Sequence, residues 1–170
     1  MPTNAKERTL KDISVRYDLQ PGDMGNVVYL HAIVYAEEYG FDHTFEGYVA
    51  SGLGEFAQSF NSNKDRLWVA EIKGKIIGSI AVFGRSESEA QLRWFLVNPN
   101  FRGLGLGKLL FEESILFCKK CGFKTVFLWT FRGLDAANYL YKSTGFEKTE
   151  ELTHEIWGQT LTEERYDLKI

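Results

Sequence analysis

The sequence is poor in the residues that mark disulfide-rich and fibrous proteins. Its 170 residues include only two cysteines, Cys118 and Cys121, and three prolines. Two cysteines cannot build a disulfide framework, so a reducing compartment, the cytoplasm, is the expected location. Because 44% of the residues are hydrophobic and 25% are charged, the composition excludes disordered and collagen-like chains and is typical of a globular domain.

Long hydrophobic runs are also missing. The longest near-apolar run, residues 27–36, is too short to span a bilayer and is interrupted by His31. Residues 1–8 are polar and lack the apolar centre of a signal peptide. The net charge of −3 argues against a general nucleic-acid binder, which is usually basic. We therefore expect one domain over residues 1–170, with neither nucleic acid nor a membrane as its partner.

Positive charge is absent from one long stretch of the chain. No lysine or arginine occurs between Arg16 and Lys64, although this stretch contains many acidic residues. Runs of charge are usually solvated helix faces, but an acidic region can also attract a cationic partner. The acidic residues are Asp18, Asp23, Glu37, Glu38, Asp42, Glu46 and Glu55.

Hydrophobic periodicity predicts helices and strands in the order β-α-α-β-β-β-α-β-α-β-β. The sequence has no internal repeat and no linker, so this order favours a single α+β domain. The Lys73-Gly74 pair predicts a hairpin turn between two strands. The predicted strands cover residues 13–19, 67–72, 75–83, 91–97, 125–130, 147–155 and 165–170, and the predicted helices cover 27–39, 43–60, 106–120 and 135–143.

The segment at residues 97–108 carries the clearest chemical signal. It joins a strand to a helix and contains three alternate glycines, which allow a ligand to approach the backbone closely. The first turn of a helix presents unpaired N–H groups and partial positive charge, a combination that binds phosphate oxygens. Arg102 and Lys108 add two cations beside that turn. The segment therefore predicts a phosphate-binding loop.

Two common nucleotide-binding patterns do not fit this loop. A P-loop ending at Gly107-Lys108 would need glycine at position 102 and a hydroxyl residue at position 109, which are Arg102 and Leu109. A dinucleotide fingerprint would need its third glycine at position 108 or 110, which are lysine and leucine. A nucleotide-binding protein is therefore the weakest of the candidate functions.

The pattern that does fit is Val-x-Pro followed by Arg-Gly-x-Gly-x-Gly, and it resembles the acyl-CoA loop of the GNAT N-acetyltransferase superfamily. Residues 136–146, Ala-Ala-Asn-Tyr-Leu-Tyr-Lys-Ser-Thr-Gly-Phe, resemble the later cofactor-binding helix of that family. Residues 91–97 and 127–130 look closest to the acetyltransferase halves of bacterial MarR-GNAT fusions. The resemblance implies a mixed, mostly antiparallel central sheet with splayed central strands, flanked by helices. It also implies transfer of an acetyl group from acetyl-CoA to a primary amine.

The resemblance further implies the roles of individual residues. Leu96 and Val97 would contact the pantetheine arm of the cofactor, and the Val97 N–H would stabilise the oxyanion. Tyr141 would be the general acid that protonates the leaving sulfur, with Asn138 on the same helical face toward the cofactor. The residues implied to hold the coenzyme A pyrophosphate are Arg102, Gly103, Leu104, Gly105, Leu106, Gly107 and Lys108.

The general base and the acceptor are less well defined by the sequence. Residues 91–94, on the strand where family members often carry a carboxylate, contain no acid. Substitutes for the base include a water chain and several side chains, namely Glu37, Glu38, His43, Glu46 and Glu71. The first two helices line the acceptor side in this fold, and their acidic and aromatic residues predict a small basic amine or a protein lysine as substrate. The predicted substrate-binding residues are Glu37, Glu38, Tyr39 and His43.

Three further expectations complete the sequence-based prediction. The missing strand carboxylate leaves a non-catalytic acyl-CoA-binding sensor or regulatory domain as the alternative function. No metal site is expected, because the Cys118-x-x-Cys121 pair ends a helix and has no second pair or nearby histidine. The sequence does not decide between a monomer and a homodimer.

Overall fold

The computed structural model describes residues 9–170. The polar segment at residues 1–8, which was expected to lack a signal peptide, lies outside the described residues. The helices and strands follow the predicted order, so the predicted α+β class is confirmed. The strands are β1 (Ser14–Arg16), β2 (Arg66–Ile72), β3 (Lys75–Gly84), β4 (Glu89–Val97), β5 (Thr125–Phe131), β6 (Glu147–Ile156) and β7 (Gln159–Lys169); the α-helices are α1 (Asp23–Tyr39), α2 (His43–Gln58), α3 (Leu106–Cys121) and α4 (Asp135–Thr144).

One seven-stranded sheet, in the order β1-β2-β3-β4-β5-β7-β6, organises the described chain. Neighbouring strands are antiparallel except β4 and β5, which are parallel. These two pair only over Glu89–Gln91 and Thr125–Phe127, at the start of each strand. Beyond this point they diverge, and a gap opens in the middle of the sheet.

The strand beside the gap is also irregular. The register between β3 and β4 shifts between Ser79 and Ala81, where Trp94 has a φ of 50°. This left-handed conformation costs an ordinary L residue about 1–2 kcal/mol. Strand side chains normally alternate between the two faces of a sheet, but here atoms of both Arg93 and Trp94 lie next to Gly52 of α2. The bulge therefore turns two consecutive side chains toward the same face.

Helices cover both faces of the sheet, and each layer has its own apolar core. On one face, α3 packs Leu110 and Phe111 against the sheet with Trp68. On the other face, α1 and α2 bury Val27 and Phe56 in a second cluster. Because both faces of the central strands are covered, residues 76–83 of β3 are buried without interruption, as a central strand requires.

The last strand begins earlier than the sequence predicts. The predicted strand started at residue 165, whereas β7 starts at Gln159 directly after the Trp157-Gly158 turn. Both turn residues have positive φ, at 55° and 77°, which is the geometry of a two-residue hairpin. Tryptophan is an unusual residue in such a turn, so the signal was missed. Lys73-Gly74, predicted as a hairpin, has the same geometry with φ of 50° and 74°.

Helix α1 begins at Asp23 rather than at the predicted residue 27, because a buried ion pair anchors its first turn. Asp23 accepts hydrogen bonds from the Arg16 guanidinium at 2.7 and 2.9 Å and from the Gln20 N–H at 2.8 Å. Only 5% of the Asp23 side chain and 19% of the Arg16 side chain are exposed. This contact fastens α1 to the first strand of the sheet.

We expect Asp23→Asn to lower the free energy of unfolding by about 1–2 kcal/mol at pH 7, between the values for exposed and buried pairs. The Arg16 guanidinium holds the pKa of Asp23 below its ordinary value. The carboxylate therefore stabilises the fold above the unfolded pKa of about 3.9, and this contribution is lost as the pH falls through the folded pKa. Urea unfolding at pH 7 measures the loss of stability in the variant, and the same measurement near pH 3 shows how much of that loss remains when the carboxylate is protonated. Asp18→Asn is the control, since that side chain is 68% exposed and should change stability little.

Within residues 9–170, no helix combines the length and apolar character that a membrane span requires. A cytoplasmic location stays a prediction from the cysteine content.

Candidate active site

The gap between β4 and β5 forms a cleft that passes through the sheet. On the side of α3 and α4 it is lined by Phe95, Ala137 and Tyr141. On the side of α1 and α2 it is lined by Phe45 and Trp157, among others. The cleft is therefore lined from both layers of the fold.

The glycine-rich loop lies directly after β4 and leads into α3. Gly103 and Gly105 have φ of 78° and 86°, a conformation that favours glycine. Gly105 is the N-cap of α3, and no side chain within residues 9–170 caps the helix start. The first N–H groups of α3 are therefore available to an anion.

The third glycine of the loop differs from the other two. Gly107 lies in the first turn of α3 without positive φ, and a Cβ there would be 3.7 Å from the Phe95 ring and 3.8 Å from Val97 Cγ2. These are ordinary van der Waals distances, so the protein itself has room for alanine at this position. The bare backbone fits a ligand that approaches the helix start closely, as a coenzyme A pyrophosphate would.

The hydrogen-bond pattern of β4 orients the backbone of Val97. The Asn98 N–H donates to the Ile77 carbonyl on β3 at 2.7 Å. Hydrogen-bonded pairs alternate along an antiparallel ladder, so the Val97 N–H and C=O, opposite Gly78, point away from β3 toward the gap. By the same alternation, Leu96 directs its backbone groups to Ser79 on β3. Of the two predicted pantetheine contacts, Val97 is therefore the one whose amide points toward the gap, although neither residue is among those that line the cleft.

Arg102 connects the glycine-rich loop to α1. Its guanidinium donates to both oxygens of Glu38, at 2.7 and 3.0 Å, and to the Val97 carbonyl at 3.1 Å. This hydrogen bonding to Glu38 raises the pKa of Arg102. Lys108, the other predicted phosphate ligand, is 70% exposed and lies 3.7 Å from Glu112 on the same helix. Arg102 thus neutralises a carboxylate that was predicted to bind the acceptor.

Tyr141 lies on α4 with its ring inside the core and its side chain lining the cleft. It packs against Phe111, Phe146 and Tyr166, with ring centroids 5.7, 6.0 and 6.2 Å away. Burial raises the pKa of Tyr141 above its ordinary value of 10.0, so the hydroxyl stays protonated at neutral pH. Asn138, three residues earlier, does not line the cleft, and its side-chain oxygen is buried without a partner among the described residues.

The side chains predicted for acceptor binding lie outside the cleft. Glu37 lines a separate surface depression with Tyr29 and Lys75. Tyr39 packs edge-on against Phe131 at 5.0 Å, and His43 is exposed at the start of α2. The other suggested bases, Glu46 and Glu71, do not line the cleft either, and Glu71 contacts Arg16 at 3.4 Å.

The cleft contains polar residues that the sequence analysis did not place there. His31 is buried, its Nδ1 lies 2.8 Å from the Val27 carbonyl, and burial lowers its pKa to about 4. Glu163 on β7 lies 2.6 Å from His154. Arg93 reaches the cleft from β4. These residues are far apart in sequence, so only the folded chain brings them together. Within residues 9–170, no cluster of acidic, histidine and cysteine side chains suits a metal ion.

Comparisons with known proteins agree with this geometry. Residues 28–146 match the sequence model of the acetyltransferase (GNAT) family. An uncharacterized N-acetyltransferase of Schizosaccharomyces pombe is 34% identical over 123 residues, which cover 71% of this chain and 74% of that protein. A probable N-acetyltransferase camello of Xenopus tropicalis is 28% identical over 152 residues, which cover 82% of this chain and 69% of that protein.

A solved structure of a GNAT family acetyltransferase from Elizabethkingia anophelis, with acetyl-CoA bound, has the same fold. It superposes with a TM-score of 0.62 over 94% of this chain and 99% of that chain, at 16% identity. The predicted fold, with its splayed central strands, is therefore confirmed. The chain belongs to the GNAT family and is an acetyltransferase whose acetyl donor is acetyl-CoA.

Proposed function

We propose that this protein transfers the acetyl group of acetyl-CoA directly to a primary amine, with Tyr141 as general acid. The observation that carries the proposal is the cleft between β4 and β5, which is lined by residues from both layers of the fold, Tyr141 among them. Acetyl-CoA supplies the acetyl group as a thioester. The N–C bond to the amine forms as the C–S bond breaks.

The glycine-rich loop and the start of α3 would hold the pyrophosphate of the cofactor. The uncapped N–H groups behind Gly105 supply hydrogen-bond donors and a partial positive charge. The positive φ of Gly103 and Gly105 supports this assignment, as does the bare backbone of Gly107 in the first turn of α3. The remaining proposed contacts to the pyrophosphate are the backbone groups of Leu104 and Leu106 and the positive charges of Arg102 and Lys108.

Two groups of the chain would stabilise the reaction from opposite sides. The Val97 N–H, directed to the gap, would donate to the thioester oxygen as negative charge develops there. The Tyr141 hydroxyl would give its proton to the departing sulfur. The hydroxyl carries its proton at neutral pH, as a general acid must before the step, although burial raises the pKa of Tyr141 and so makes it a weaker donor.

The acceptor amine must lose a proton before it attacks. The carboxylates suggested from the sequence do not line the cleft, whereas Glu163 does and contacts His154. Glu163 is therefore the candidate that the geometry favours for accepting this proton, either directly or through a water molecule.

The sequence also predicts a small basic amine or a lysine as acceptor, bound by Glu37, Glu38, Tyr39 and His43. That preference depends on free negative charge at the end of α1. Because Glu38 is paired with Arg102, less of this charge is free than the sequence suggested. The basic acceptor stays a prediction.

Thiol release from acetyl-CoA, measured over a panel of primary amines, tests the proposed function. Release above the hydrolysis background, with acetylated amine detected by mass spectrometry, supports it. Tight binding of acetyl-CoA without turnover on any amine would instead support the non-catalytic sensor. A monoamine, a diamine, an amino acid and a lysine peptide cover the acceptor classes considered.

We expect Arg102→Ala to weaken coenzyme A binding by at least about tenfold, because one charge-assisted contact to phosphate is removed. Calorimetric titration with coenzyme A measures the change. Glu38→Gln is the matched control: it removes the same ion pair but keeps the guanidinium, so affinity should be unchanged or higher. Equal loss in both variants would show that the ion pair, and not a phosphate contact, matters for binding.

A further inference from the structure

Arg93 is a cation on the acceptor side of the cleft. It lies on β4 next to the bulge, which turns its side chain toward α2. There its guanidinium donates to the Tyr48 hydroxyl at 3.2 Å and lies 4.5 Å from the centre of the Trp94 ring. Arg93, Tyr48 and Trp94 all line the cleft. Its position is therefore opposite to the proposed cofactor loop.

This guanidinium has no negative partner in the described chain. No carboxylate within residues 9–170 lies within 4.0 Å of Arg93. A guanidinium carries five N–H donors, and the single bond to Tyr48 uses one of them. Most other arginines of the described chain contact a carboxylate, namely Arg16, Arg85, Arg102, Arg132 and Arg165.

The surrounding residues hold Arg93 in place. A Cβ on Gly52 of α2 would lie 2.9 and 3.1 Å from the two terminal nitrogens of Arg93, so the glycine lets the guanidinium lie close to the backbone of α2. The ring of Trp94 covers one side of the charge. An arginine that is already held by a hydrogen bond and by ring contacts loses less conformational freedom when it binds a ligand than one that is free in solvent.

The other polar groups at the cleft add hydrogen-bonding capacity. Among the described residues, Thr130 Oγ1 and Trp94 Nε1 are buried without a partner, and both residues line the cleft. Among residues 9–170 the one carboxylate that lines the cleft, Glu163, already contacts His154. The lining thus offers donors and a cation to a ligand.

We propose that Arg93 binds a carboxylate of the acceptor, so that the preferred substrate is an amino acid or another amine that carries a carboxylate. This inference rests on the proposed function and names its acceptor class. The planar guanidinium matches a carboxylate in two-point hydrogen bonding. The proposal differs from the basic acceptor predicted from the sequence, and one experiment separates the two.

The experiment compares acceptors that differ only in the carboxylate. Steady-state acetylation is measured for alanine and alaninamide, for β-alanine and β-alaninamide, and for a diamine of similar length. In the wild-type protein we expect kcat/KM to be at least about tenfold higher for the acid than for the amide in one pair, about 1.4 kcal/mol. This comparison needs no variant, so it does not depend on how a variant folds.

Arg93→Gln then identifies the residue responsible. We expect KM for the carboxylated acceptor to rise about tenfold with little change in kcat, and kcat/KM for the amide to stay the same. Arg93→Lys should restore part of the loss, since it keeps the charge without the two-point geometry. Arg66→Gln is the matched control, because that arginine stacks on Tyr17 and Phe117 outside the cleft and should leave both acceptors unaffected.

The outcomes distinguish this inference from the proposed function. Equal turnover of acid and amide, or a preference for the diamine, would overturn the carboxylate site and leave amine acetylation standing. An equal loss of kcat/KM for the acid and the amide in Arg93→Gln would also overturn the carboxylate site without affecting the proposed function. Absence of turnover with every amine would overturn the proposed function and this inference with it.

Discussion

Replacing Tyr141 with phenylalanine should lower kcat by about 10²-fold or more while the affinity for coenzyme A stays the same. The change removes only the hydroxyl, and general acid catalysis typically contributes 10²–10⁴-fold to a rate. The ring would continue to pack against Phe111 and Phe146, so the fold should be retained. Single-turnover kinetics with saturating acceptor measure the chemical step, and calorimetry measures binding.

The same helix offers a matched control for this change. Tyr139 is 76% exposed and does not line the cleft. Tyr139→Phe should therefore leave both the rate and the binding unchanged. An unaltered rate in Tyr141→Phe would remove Tyr141 from the role of acid and assign proton donation to water or to another side chain.

Replacing Gly107 with alanine should have opposite effects on stability and on binding. The protein has room for the added methyl group, and alanine has a higher helix propensity than glycine. We therefore expect unchanged or higher stability. Coenzyme A affinity should fall about 30-fold, because the methyl group displaces the pyrophosphate from backbone N–H donors and each charge-assisted bond is worth about 1.5–3 kcal/mol.

Gly54→Ala provides the comparison for Gly107→Ala. Gly54 lies in α2, and a Cβ there would meet nothing within 4 Å. Stability should rise in the same way, but coenzyme A affinity should not change. Thermal unfolding of the free proteins and calorimetric titration with coenzyme A separate the two effects. Full affinity in Gly107→Ala would place the pyrophosphate away from the first turn of α3.

The glycine-rich loop could be predicted because its signal is local. Alternate glycines followed by an amphipathic helix depend on neighbouring residues, and the helix ends at Gly40, Gly122 and Gly145 were identified for the same reason. The same local signals predicted where β4 ends and where α3 begins. The strand order and the gap could be expected only through the family resemblance.

The acceptor side could not be predicted because it depends on distant residues. Glu38 and Arg102 are 64 positions apart, and their ion pair changes the charge available to a substrate. The sequence analysis noted only that the strand of Arg93 contains no acidic residue, and it gave Arg93 itself no role. The register shift that turns it toward α2 arises from pairing between β3 and β4. Periodicity within one strand carries no information about such a shift.

The short parallel pairing of β4 with β5 has a mechanical consequence. The sheet consists of two antiparallel halves, β1–β4 and β5–β7, joined along only three residue pairs. The two halves are therefore bonded at the start of β4 and β5, whereas the later parts of these strands are separated by side chains and by any bound ligand. A reactant bound in the gap would contact both halves and add to the few bonds that join them. The separation of β4 and β5 would then depend on whether a reactant is bound.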